Sequence, residues 1–192
     1  FALADPFDDH MKLMVKYIDK EDEAKVKQLL KTPYVDINDT IVGTRTYSDG
    51  YSYLGHAVHN CKSKIVKVLL DAGAAVEGNG TTGRTPLYEA TASGCVDAVA
   101  ELLKAKANPN AIGTKGYIVG TSVLQIATLR CYLPNTTPII RLLRQYGADL
   151  NSVGSYRGGA LWKGYSSLHL VIMGVGQSAV PEACSDAARA LV

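Results

Sequence analysis

Apolar residues recur along this chain in short clusters divided by polar turns. Val66 and Leu69, Val99 and Leu102, and Ile140 and Leu143 lie three apart, so each pair occupies one face of a helix. Ahead of each pair runs a shorter apolar stretch, around Leu54, Leu87 and Leu124. Those stretches open on hydroxyl residues that suit a helix N-cap, at Ser52, Ser122 and Ser166 and most clearly at Thr85-Pro86. Gly50, Gly83, Gly120 and Gly164 precede the caps, and Gly73 and Gly147 follow the second helices, where a left-handed residue ends a helix. The pattern therefore predicts units of turn, helix, tight loop and antiparallel helix. Two units superimpose residue for residue: Gly50 maps to Gly83, Leu54 to Leu87, Ala57 to Ala90, Val66 to Val99 and Leu69 to Leu102, each a step of 33. No unit of that size buries its apolar face alone, but stacked neighbours do.

The segment Gly83-Arg84-Thr85-Pro86-Leu87-Tyr88-Glu89-Ala90 resembles the opening of an ankyrin repeat, departing at Tyr88 where His is usual. Ile65 to Leu70 with Asp71-Ala72-Gly73-Ala74, and Arg141 to Asn151, resemble its second half. The resemblance implies an all-α fold, an ankyrin-repeat solenoid of helix-turn-helix units with extended hairpin loops. Residues 1–38 read as a polar N-terminal capping repeat, 39–77 as repeat 1, 78–110 as repeat 2, 111–151 as repeat 3 with inserted loops, and 152–192 as a truncated repeat 4. The second helix of that last unit is expected to begin near Asp186 and to be cut off at Val192, so further protein is expected beyond it. Irregular arrays of this kind also resemble those of bacterial effectors delivered into host cells.

Insertions give the array its individuality. Val76 to Leu87 spans 11 residues, but Ile37 to Leu54 spans 17, Pro109 to Leu124 spans 15 and Leu150 to Leu168 spans 18, which lengthens three hairpin fingers. A further stretch, Cys131 to Pro138, is added between the two helices of repeat 3. Tyrosines, the only tryptophan and basic residues collect in the fingers and their turns, and no acidic residue occurs from Leu150 through Pro181. Tyr and Trp provide large rigid contact area with a polar handle. The candidate partner-binding residues are Arg45, Tyr47, Tyr51, His59, Arg84, Lys115, Arg130, Arg157, Trp162 and Tyr165. The same tyrosines also suit packing of finger against finger. The resemblance further implies candidate asparagine hydroxylation at Asn38 and Asn151, each ending a closing loop eight residues after a Leu; Asn110, after Pro109, fits less well.

The function expected is a protein–protein interaction module that binds a protein partner through its concave face and fingers. The alternative is the targeting arm of a larger multidomain enzyme or host-directed effector. Composition narrows this further. With 47% hydrophobic residues and a net charge of +2, the chain can bury a core and carries too little charge to make nucleic acid the default partner. No apolar run reaches the roughly 18 residues of a membrane span, and the N-terminus lacks the basic and apolar regions of a signal peptide. Cys61, Cys95, Cys131 and Cys184 form no Cys-x-x-Cys pair and read as buried reduced thiols of a cytoplasmic protein, in the host cytoplasm if this is a secreted effector. No catalytic group, metal site or cofactor is expected. Gly78 to Gly83 matches G-x-G-x-x-G but sits in a hairpin, not after a strand. His59 and Cys61 are too close on one turn for a nucleophile–base pair. His56 and His169 read as core histidines held by backbone groups.

Overall fold

A computed structural model describes residues 6–42, 50–78, 80–115, 119–131, 133–152, 166, 167, 169, 170 and 182–192. Among the described residues its helices include α1 (Pro6–Asp19), α2 (Glu23–Leu29), α3 (Tyr53–His59), α4 (Ser63–Asp71), α5 (Pro86–Ser93), α6 (Val96–Lys104), α7 (Val123–Leu129), α8 (Thr136–Gln145) and α9 (Glu182–Leu191). They pair as antiparallel hairpins, and each hairpin stacks on the next, α3 on α5 on α7 and α4 on α6 on α8. The result is an all-α ankyrin-type solenoid.

The core is built from the residues that the repeat superimposes. Leu54, Leu87 and Leu124 stack between layers, as do Ala57/Ala90/Ala127, Val66/Val99/Ile140 and Leu69/Leu102/Leu143, all at most 2% exposed. Met11, Met14, Ile18 and Val26 from α1 and α2 extend that core into the first unit. Hydroxyls open the first helices as the pattern implies. Ser52, Thr85 and Ser122 accept from the backbone N–H of Gly55, Tyr88 and Gln125. Ser122 adds a full capping box, its own N–H donating to Gln125 Oε1 at 2.9 Å. The second helices α4, α6 and α8 have no side-chain cap.

Closing loops are joined by a ladder. The side chains of Asn38, Glu77 and Asn110, at one repeat position, each accept from a backbone N–H of the following unit. Ala75 donates to Asn38 Oδ1 at 2.8 Å, Asn108 to Glu77 Oε1 at 2.6 Å and Asp149 to Asn110 Oδ1 at 2.7 Å. Gly73 and Gly147 take φ of 92° and 87°, and Lys106 is forced to 68° at the same place. At the bases of two fingers the described residues pair through antiparallel bridges, Thr40–Ser52 and Ile112–Ser122. They also bond sideways, Thr81 N–H to Gly50 O and Thr114 N–H to Gly83 O. A Cβ at Gly83 would lie 2.5 Å from Lys115 Cβ, so only glycine permits that approach.

Four readings of the sequence are corrected. The cysteines are not reduced thiols. Cys61–Cys95 and Cys131–Cys184 are disulfides with Cα separations of 5.2 Å and 4.7 Å, inside the bridging range. The separation of 34 is one repeat period plus one, which sets Cys61 and Cys95 side by side in adjacent layers. His169 is not a core histidine but exposed, its Nδ1 lying 2.8 Å from Ser166 Oγ, whereas His56 is buried as expected and its Nε2 also lies 2.8 Å from Asp19 Oδ1 on α1. The stretch added after Cys131 is partly helical, since α8 starts at Thr136 and is anchored by Thr136 Oγ1 donating to Arg130 O at 2.7 Å. The last helix begins at Glu182, four residues ahead of Asp186.

Candidate functional site

Three of the candidate binding residues converge on one buried carboxylate. Tyr51 stands just before the Ser52 cap of α3, and His59 is the last residue of that helix. Arg84 holds the place of Tyr51 one unit later, just before the Thr85 cap of α5. Stacking α3 on α5 brings all three around Glu89, which is 2% exposed in the first turn of α5. The Tyr51 hydroxyl donates to Glu89 Oε1 at 2.9 Å, and Arg84 Nη1 donates to Oε2 at 3.0 Å. His59 Nδ1 lies 2.6 Å from Oε1; an ionised carboxylate can only accept, so the proton is on Nδ1. The Tyr51 and His59 rings tilt against each other with centroids 5.4 Å apart.

The electrostatics follow from that geometry. Burial pushes the Glu89 carboxyl upward, but the bonds from His59, Arg84 and Tyr51 outweigh it and hold the group below its ordinary value. The helix N-terminus around Glu89 adds to this preference for negative charge. Burial, with the Glu89 charge beside it, drives the Tyr51 phenol upward, so it remains a donor. The crevice bounded by Tyr51, Gly78, Gly80, Thr82, Arg84 and Glu89 measures about 10 Å³, roughly one water. The cluster is thus a filled polar surface joining repeats 1 and 2. Gly80 in the G-x-G-x-x-G match abuts Gly50, where a Cβ would meet the carbonyl at 2.7 Å, so this glycine serves contact between fingers.

The other candidate residues lie apart from this cluster. Lys115 is exposed, but its Nζ donates to Thr81 O at 2.7 Å, so it ties one finger to another. Arg130 is half-buried at the C-cap of α7, one repeat on. Arg45, Tyr47, Arg157, Trp162 and Tyr165 fall outside the described residues. Asn38 holds the loop ladder, and the Asn151 N–H closes a local turn by donating to Asp149 Oδ1 at 2.9 Å. Sequence reasoning missed Glu89. Its signal was a carboxylate in the row that holds His56 one repeat earlier, five residues after Arg84. Among the described residues no three His, Cys, Asp or Glu side chains are placed to hold a metal, and no helix is long and apolar enough to cross a membrane.

A family model described as ankyrin repeats (3 copies) matches residues 13–113. The curated protein "BTB/POZ domain and ankyrin repeat-containing protein NPR5" from Oryza sativa subsp. japonica is 35% identical over 107 residues, 54% of this chain and 19% of that protein. The similarly described NOOT1 protein of Medicago truncatula is 32% identical over 111 residues, 57% of this chain and 21% of its own length. This chain therefore spans about a fifth of the length of these relatives. Both are plant proteins, whereas the irregular insertions pointed to bacterial effectors.

Proposed function

We propose, because this chain belongs to the ankyrin-repeat family and ankyrin repeats are protein–protein interaction modules, that it binds a protein partner across the fingers and first helices of repeats 1 and 2. The observation that carries this reading is the Tyr51–His59–Glu89–Arg84 cluster. It fixes the half-exposed faces of His59 and Arg84 in position before any partner arrives. Pre-ordered side chains lose less entropy on binding, and Arg and Tyr are frequent interface anchors. Arg45, Tyr47, Arg157, Trp162 and Tyr165 join this reading as further proposed contacts on the strength of their residue types alone.

A second reading concerns the larger protein. The plant relatives pair ankyrin repeats with a BTB/POZ domain by name, which supports a recognition arm that serves another domain. Two disulfides suit an oxidising compartment better than a reducing cytoplasm.

The test is affinity capture with the wild-type chain, followed by titration of the captured protein against variants. Arg84→Ala is expected to weaken binding at least tenfold, and Trp162→Ala with Tyr165→Ala to weaken it while leaving thermal stability nearly unchanged. Unaltered affinity in both variants would place the docking surface elsewhere. Equal loss of affinity and stability would assign the finger aromatics to packing.

A further inference from the structure

We propose that the Cys61–Cys95 disulfide is a thiol-exchange site, at which a small thiol of the glutathione class becomes attached to Cys61. The two sulfurs of this bridge sit in unequal surroundings. Cys61 is exposed in the turn between α3 and α4, held at a left-handed φ of 54°. Cys95 is 5% exposed and is the N-cap of α6. A groove of about 340 Å³ opens on the bridge, lined by both cysteines and by Ser63, Gly94, Asp97 and Asn135. An incoming thiolate therefore has room to approach, and Cys61 is the exposed residue of the pair. The second bridge lacks this asymmetry, with Cys131 at 7% and Cys184 at 2% exposure.

The chemistry is a balanced exchange. The incoming thiol gives up its proton to water, and its electron pair forms a new S–S bond to Cys61. The Cys61–Cys95 bond breaks, and its electron pair leaves on Cys95 as a thiolate. One sulfur is oxidised and one reduced, so no other oxidant is needed. The leaving sulfur stands at the start of α6, whose N-cap residue, Cys95, makes no side-chain capping hydrogen bond. A thiolate at such a position is a better leaving group than an ordinary one. Asp97 opposes this from the same turn, but the thiolate lies at the cap where the N–H groups converge. Exchange would untie repeat 1 from repeat 2 two residues from His59, at the edge of the Glu89 cluster.

The experiment uses the whole folded chain and reduced glutathione near neutral pH. Samples are quenched in acid at early times, alkylated and mapped by peptide mass, with circular dichroism confirming that the helices persist. Glutathione is expected on Cys61 and the alkyl group on Cys95, with this bridge opening at least tenfold faster than Cys131–Cys184. A Cys131→Ser/Cys184→Ser variant is expected to give the same Cys61 adduct. Equal opening of both bridges, first attachment at Cys95, or isolation of Cys61 and Cys95 as free thiols would each overturn the proposal. So would the absence of any adduct at concentrations that exchange the denatured chain completely.

Discussion

Glu89 and His56 occupy the same position in successive repeats, and both place an ionisable group in the core of a first helix. Their shifts have the same sign of consequence. Glu89 is held below its ordinary value of 4.5, so the unfolded chain takes up that proton first. Its stabilisation is complete above about 4.5 and is lost as pH falls through the folded value. For His56, burial lowers the imidazole below its ordinary 6.5, and the neighbouring His59 lowers it further, against the opposing pull of Asp19. The unfolded chain again protonates first, so stability drops as pH falls below about 6.5. Calorimetry from about pH 7 down to about pH 4 should therefore show Tm falling in two stages. His56→Gln should flatten the upper stage alone; an unchanged upper stage in that variant would assign it to another group. At neutral pH, Glu89→Ala is expected to cost about 3 kcal/mol, read from urea unfolding, because it strands Arg84 and His59.

At the scale of elements, the loops carry more order than their composition suggests. Asn110 both accepts from Asp149 N–H and donates from Nδ2 to Gly147 O at 3.2 Å, pinning the end of α8 to the preceding loop. Asn110→Ala should cost about 1–2 kcal/mol and speed amide exchange at Asp149, leaving Ala75 and Asn108 protected. Protection of Asp149 in that variant would show that the backbone alone holds the loop. Lys106 sits in a left-handed conformation that glycine fills at the equivalent Gly73 and Gly147. Lys106→Gly is expected to raise stability by about 0.5–1 kcal/mol, measured by the same urea titration, since the strain relieved exceeds the added chain entropy. The Lys106 site was legible in the sequence because repeats make every departure visible by alignment. The ladder was only half legible: Asn38 and Asn110 stood out, but Glu77 shares their position and bonding without their chemistry.

For the molecule as a whole, the solenoid distributes stability over neighbouring layers, and each disulfide fastens one pair of layers. Cys131–Cys184 joins the turn before α8 to α9 across a sequence separation of 53, for which chain entropy suggests about 4 kcal/mol. Replacing both residues with Ser should split thermal unfolding into an early loss of α9 and a later loss of the remaining repeats. A single transition at the wild-type Tm would mean that the bridge adds nothing to the last layer. The sequence by itself determined the fold. A 33-residue step in Leu, Ala and Val fixes which faces must be buried, and stacking is the one way to bury them. It also singled out Tyr51, His59 and Arg84, because residue type and turn position are local properties. Only the tertiary structure decided that these three meet at Glu89, and that the four cysteines pair. Both facts depend on which residues of adjacent layers come within a few ångströms, and that distance is set by the stacking of whole helices.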